Sequence, residues 1–319
     1  MAPLVDPGPP APSLEQEPLS ITSQTPWKVG FYTFPDQGPN VSYFNCAVAD
    51  WLDRRWLITR RRDMNRTGRL PVSSIVIWRL VGNNPAERFP VLFKKQWNNE
   101  EYEDPRALVF QNRMLLTYCN YTQHPVRVGQ AAALLDMRFQ APNPMRPVYA
   151  KNMQNLMRQR GPEKNWTWFQ HDGRLYFVYG ANPHEVCGWD GRRVPVVYKT
   201  TTGIHWPYGE IRGGTSPVRV GEEYISFFHS SRMWKEPMRR YFMGAYAFRA
   251  APPFEITRWT PEPLLRGSIC DPREDWNPLV VFPCGAIHDG GEWLVTLGVN
   301  DCRCASIRIP HDDLTKRMQ

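Results

Sequence analysis

The sequence predicts an all-β chain folded as a five-bladed β-propeller. A hairpin-shaped segment returns five times along the 319 residues. Amphipathic helical periodicity is weak throughout, and 31 prolines disfavour a helical protein. A β-sandwich is the runner-up, and a TIM barrel is disfavoured because its helices are missing.

The chain opens with "MAPLVDPGPPAPSLEQEPLSITSQTP". Its proline density predicts a disordered or extended arm over residues 1–26, followed by the propeller over residues 27–319. It has neither a basic n-region nor an apolar h-region, so it does not read as a secretory signal. No run of about 18 apolar residues occurs, so no membrane partner is expected.

The five segments begin at Phe44, Glu103, Lys164, Gly213 and Phe282. They read "FNCAVADWLDRRWLITRRR", "EDPRALVFQNRMLLTYCNY", "KNWTWFQHDGRLYFVYGANPH", "GGTSPVRVGEEYISFFHSS" and "FPCGAIHDGGEWLVTLGVND". Each is a polar start, a short apolar strand, a tight turn, a second apolar strand and a polar end. The turns fall at Asp53, Asn112, Asp172, Gly221 and Gly290, residue types that tolerate the positive φ of a tight hairpin. Gaps of 59, 60, 49 and 69 residues between these markers leave room for one or two outer strands per unit. "QAAALLDMRF" and "VPVVYKTTTGIHW" are the candidates for such strands, and "KNMQNLMRQR" at Lys151–Arg160 is the best short helix.

In a propeller the innermost strands line one central channel. The residues that open the first strands then gather at one end of it: Asn45, Glu103, Asp104, Arg106, Lys164, Asn165, Gly213, Gly214 and Thr215. Those that close the second strands form a companion set: Arg60, Asn120, Asn182, His184, His229 and Asp301. Carboxylates, bases and nearby aromatics in one pocket suit a sugar. Trp166, Trp168, Trp206 and Trp234 are candidate platforms for sugar faces, although most tryptophans pack in cores.

The net charge is +8, with basic residues dispersed rather than striped. Dispersed charge argues against a nucleic-acid partner and suits an anionic small substrate. Seven cysteines, an odd number without zinc-site spacing, read as reduced thiols of a cytoplasmic protein without a metal.

These motifs resemble glycoside hydrolase family 130, from about Phe44 to about Leu314. "FNCAV", "EDPR", "GGTSPV" with "YISFFH", "YFMGAYAFRAAPPFEITRWTPEPLL", "VVFPCGAI" and "LGVNDCRCASIRIPHDDL" carry the resemblance, in the family's order. The family contains inverting β-mannoside phosphorylases and β-mannosidases on five-bladed propellers. The resemblance implies that Asp104 is the general acid, passing its proton to the glycosidic oxygen through a sugar hydroxyl. The repeat positions, with strand alternation at Arg60, make Asn45, Arg60, Glu103, Arg106 and Asp301 the expected substrate contacts.

In the family's phosphorylases an Arg-Asn pair, a second Arg, a Lys and a His hold phosphate. The pair falls on Lys164 and Asn165, and the His on His229. The second Arg falls on Asn182 and the Lys on Glu210, with His184 and Arg212 as compensating candidates. Phosphate recognition favours arginine forks and lysine point charges, so these departures bear on the acceptor.

The expected activity is inverting phosphorolysis or transglycosylation of β-mannosides. No cofactor is expected, with inorganic phosphate as a co-substrate. The partners are an oligosaccharide or a sugar phosphate, and the arm is long enough to reach a neighbouring subunit of a homo-oligomer. The alternatives are a mannosyltransferase with a phosphorylated donor, as in the related glycosyltransferase family 108, an inverting β-mannosidase, or a non-catalytic glycan-binding propeller. An inverting hydrolase needs a second carboxylate, for which Asp301, Glu210, Glu185 and Asp63 are candidates.

Overall fold

A computed structural model describes residues 21–64, 72–93, 100–123, 126–136, 138–141, 164–191, 194, 196–268 and 279–319. Lys151–Arg160 and one of the seven cysteines, Cys270, lie outside the described residues.

The turn chemistry sets the blades. Leu52–Asp53, Gln111–Asn112, Asp172–Gly173 and Gly290–Gly291 all take positive φ, as does Gly221. Each turn joins an innermost strand to its antiparallel neighbour.

The first blade is Val41–Trp51, Arg54–Asp63, Val72–Val81 and Asn84–Pro90, from inside outward. The second is Glu100–Phe110, Arg113–Gln123 and Val126–Leu134. The third is Thr167–His171, Arg174–Ala181, His184–Trp189 and Val196–Thr200. The two outer strands anticipated from sequence are thus Val126–Leu134 and Val196–Thr200.

In the fourth blade the inner strand is split into Arg212–Gly213 and Val218–Val220. Beyond it a long hairpin, Glu223–Lys235 and Met238–Arg249, carries the outer pieces Ile256–Trp259 and Leu265–Arg266. The fifth blade is Val281–Asp289, Glu292–Val299 and Arg303–Pro310, and Val29–Phe31 completes it from the N-terminal side. A strand from the chain's beginning therefore forms the outermost strand of the last blade and joins the two ends of the ring.

The packed chain starts earlier than Trp27. Ile21–Ser23 forms one 3₁₀ turn, Ile21 is buried between the fourth and fifth blades, and Gln24 accepts a bond from the Arg266 amide at 2.9 Å. Residues 1–20 of the expected arm lie outside the described residues. The described cysteines are free.

Five hydrophobic clusters occupy the five blade boundaries. Alternation along each strand sends one set of side chains to each neighbouring blade. Trp166 and Trp168 belong to the cluster between the second and third blades, where each packs on Phe177. They are core residues, not sugar platforms.

Candidate active site

Backbone irregularity, rather than strand alternation, points the polar residues into the channel. The innermost strands of the first, second and fifth blades carry bulges, between Phe44 and Ala47, Glu103 and Arg106, and Pro283 and Gly285. Asn45 and Asp104 sit in the first two with φ of 49° and 50°. Asn165 takes φ 69° at the same motif position in the third blade. Asn and Asp tolerate this conformation better than other side chains, and a bulge re-aims a residue at a channel mouth.

Asp104 is the hub. It is 5% exposed and accepts a hydrogen bond from Asn45 Nδ2 at 2.7 Å and an ion-pair contact from Arg60 at 3.5 Å. Arg60 also pairs with Glu103 and donates through Nε to Ser73 at 3.0 Å. The Ser73 amide in turn meets Glu101 at 3.3 Å. Phe44 lies under both Arg60 and Arg62, at 4.8 and 4.6 Å.

The two adjacent carboxyls are driven apart. Burial alone would push the Asp104 carboxyl up, but Arg60, Lys164, Arg106 and the Asn45 bond outweigh it and hold it below its ordinary value. Glu103 moves the other way: burial raises it, Arg60 offsets only part, and the Asp104 charge adds to the rise. A general acid at Asp104 asks for a raised value, so the protein without ligand holds this carboxyl in the opposite sense to that role.

Arg106, an expected substrate contact, is held by the backbone and side chains around it. It is 1% exposed and donates to Gly214 O, to Gly213 O at 3.0 Å, to its neighbour Asp104 O at 3.1 Å and to Asn165 Oδ1 at 3.3 Å. These four bonds tie the second, third and fourth blades together beside the acid. Asn165 is a member of the same brace.

Lys164 is exposed at the channel mouth, and its charge acts on Asp104 and Glu103. His229 is 3% exposed, packs on Phe282 at 4.3 Å and lies parallel to Tyr241 at 6.0 Å. Burial, with Arg106 and Arg212 beside it, pushes its pKa well below the ordinary histidine value, so it faces the site neutral. Arg212 pairs across the sheet with His229, and its guanidinium is held by Glu210 at 2.9 Å. Asp301, in the turn after Val299 with φ 52°, acts electrostatically on Arg62 and Tyr241.

Other expected residues lie elsewhere. His184 is 1% exposed in the third strand of its blade, packed against Phe248 at 5.1 Å and Tyr246 at 5.8 Å. Burial lowers its pKa to about 4. The structure places this expected anion ligand as a core histidine. Asn182 accepts from Thr202 at 2.8 Å and is tied to the following loop. Glu185 pairs with Lys199 at 2.7 Å in the outer strands, and Asp63 pairs with Arg61 at 3.1 Å.

Four residues that are not among the site candidates complete the site: Ser73, Glu101, Tyr241 and Phe282. Of these, Tyr241 and Phe282 lie within the motifs that carry the family resemblance. Among the described residues no group of three or more His, Cys, Asp or Glu could hold a metal ion, and no helix is long and apolar enough to cross a membrane.

The profile of glycoside hydrolase family 130, described as β-1,4-mannooligosaccharide phosphorylase, matches residues 40–319. The chain belongs to this family. Its members are enzymes, mannoside phosphorylases and glycoside hydrolases among them, and this chain is an enzyme of that family.

A β-1,2-mannobiose phosphorylase from Listeria innocua superposes with a TM-score of 0.65 at 16% identity, covering 89% of this chain and 94% of that one. A GDP-Man-dependent mannosyltransferase from Leishmania mexicana gives 0.58 at 11% identity, covering 90% and 91%. A mannose phosphorylase from Leishmania mexicana, solved with a phosphate ion, gives 0.54 at 13%, covering 91% of each. No curated protein sequence matches the chain. At these identities the structural likenesses establish the fold of this family member as a five-bladed propeller.

Proposed function

We propose that this family 130 enzyme is an inverting phosphorylase or transglycosylase of β-mannosides, with Asp104 as its general acid. One observation carries the reading. Asp104 lies buried in a bulge, gripped by Asn45 and Arg60, within the field of Lys164 and beside neutral His229.

A phosphate oxygen attacks C1 from the face opposite the glycosidic oxygen. The C1–O bond breaks, and the proton of Asp104 reaches the leaving oxygen through a hydroxyl of the bound sugar. An anion held by Lys164, Arg212 and His229 also answers the low pKa of Asp104. Its negative charge opposes the cations that hold the carboxyl down, so arrival of phosphate raises Asp104 toward the protonated state that the step needs.

A second reading rests on the Glu210–Arg212 pair, 2.9 Å apart. Glu210 offsets the charge of Arg212 at the position where phosphorylases place a lysine. That weakens a site for free phosphate and favours mannosyl transfer from a phosphorylated donor. The assay that separates the two is product analysis with a panel of β-mannosides, with and without phosphate, and with nucleotide-linked mannose. Phosphate-dependent release of mannose 1-phosphate supports the first reading, and turnover only with the nucleotide donor supports the second. Turnover of neither class overturns both.

A further inference from the structure

The long hairpin of the fourth blade has two faces. Ser231 and Tyr241 pair across it, and the Tyr241 ring lies parallel to His229 on the channel side. The next pair, Arg232 and Arg240, faces the opposite way by strand alternation.

Arg240 is 5% exposed, and its Nε and Nη2 have no hydrogen-bond partner among the described residues. Its guanidinium lies on the Trp234 ring at 5.0 Å, and Lys235 approaches the same ring at 4.7 Å. Arg266 stands on the neighbouring strand, opposite Phe242, with Glu262 as its partner at 3.6 Å. Arg232 donates to the Pro207 carbonyl at 2.8 Å.

The chain shows what the Nε–Nη2 edge does elsewhere. Arg55 uses it to grip both oxygens of Asp50, at 2.7 and 2.8 Å. Arg79 uses it in the same way on Glu87. In Arg240 that edge is buried and unpaired, in a neighbourhood of further cations. A buried guanidinium without an acceptor is costly, whereas a fork meeting two oxygens of one anion is among the strongest polar contacts.

We propose that Arg240, held flat by Trp234 and flanked by Arg266, Lys235 and Arg232, is a second anion subsite that takes a phosphate group. Several cations around one fork favour a phosphate dianion over a carboxylate. The subsite lies behind the hairpin, on the face opposite His229 and Tyr241, so it is distinct from the place of the attacking phosphate. Its ligand is the free ion or a phosphate carried on a sugar.

Equilibrium dialysis of radiolabelled phosphate against the full chain tests this. Wild type is expected to bind at two classes of site. Arg240→Met should lose one class and keep the other, whereas Lys164→Met should do the reverse. Arg240→Lys keeps the charge and loses the fork, and should bind about tenfold more weakly at that class while guarding against a folding artefact. Displacement from it by mannose 6-phosphate identifies a sugar phosphate as the ligand, and binding of inorganic phosphate alone identifies the free ion. Identical stoichiometry and affinity in wild type, Arg240→Met and Arg240→Lys overturns the proposal, and does so whatever Lys164→Met does.

Discussion

Asn45 and Asp104, fifty-nine positions apart and on neighbouring blades, share a hydrogen bond of 2.7 Å between two residues of positive φ. Each sits at the bulge of its own innermost strand, so the contact joins two repeats at the same point of their pattern. The bond orients one carboxyl oxygen while Arg60 approaches the same atom.

Replacing Asp104 by Asn removes the proton and keeps the shape. Turnover is expected to fall by about 10²–10⁴-fold, the usual worth of a positioned acid, with a lower unfolding midpoint at neutral pH because the carboxylate that Arg60, Lys164 and Arg106 stabilise is lost. Steady-state kinetics alongside thermal denaturation check both halves.

A residue outside the channel governs the same bond. A Cβ at Gly298 would come within 1.9 Å of Asn45 Oδ1. Gly298→Ala must therefore displace Asn45 from Asp104. The expected result is a kcat loss of about 10²-fold with a much smaller change in KM, because a displacement of about 1 Å costs that much.

Arg60 neutralises two carboxyls with little solvent to help, its side chain being 10% exposed and theirs 19% and 8%. Arg60→Met leaves both unpaired. Stability at neutral pH should drop by about 3–5 kcal/mol, measured by denaturant unfolding. The missing cation also raises Asp104, so the alkaline limb of the pH–rate profile, where the general acid loses its proton, should move to higher pH.

His184 gives the fold an acid sensitivity that is separate from catalysis. Its folded pKa is about 4, below the ordinary 6.5, because burial disfavours its charged form. The unfolded chain takes up this proton first as pH falls through 6.5. Stability is lost from there down to about pH 4 and no further through this residue. At pH 5 the loss is about 2 kcal/mol, from about 1.4 kcal/mol per unit. His184→Leu should remove that part of the pH dependence while leaving kcat at neutral pH unchanged.

Glu210→Lys tests the acceptor. It frees Arg212 from its partner at 2.9 Å and restores a cation where phosphorylases have one. The KM for phosphate should fall about tenfold or more, whereas the KM for the mannoside should hold.

Much of the fold was readable because hairpin turns are local chemistry: Asp53, Asn112, Asp172, Gly221 and Gly290 mark every first turn. The closing strand was not readable, since Val29–Phe31 is three residues long and finds its partner at the far end of the chain. The repeats brought Asn45, Asp104 and Asn165 to one place correctly, because all three occupy the same motif position. Side-chain direction was harder. Bulges break the two-residue alternation, and Arg106 turns inward to brace three blades. His184 stands at a strand end, where a polar residue looks like a pocket residue, yet alternation sends it to Phe248. The repeat position marked Arg60 for the channel, but the opposed shifts of Glu103 and Asp104 depend on how its charge, burial and the Asn45 bond balance in three dimensions.

The most direct test of the central claim is the identity of the sugar product released from β-mannosides in phosphate buffer and in phosphate-free buffer. Mannose 1-phosphate of the α configuration, formed only with phosphate and lost in Asp104→Asn, is the expected result. Free mannose released at the same rate in both buffers, or full turnover by Asp104→Asn, would contradict it.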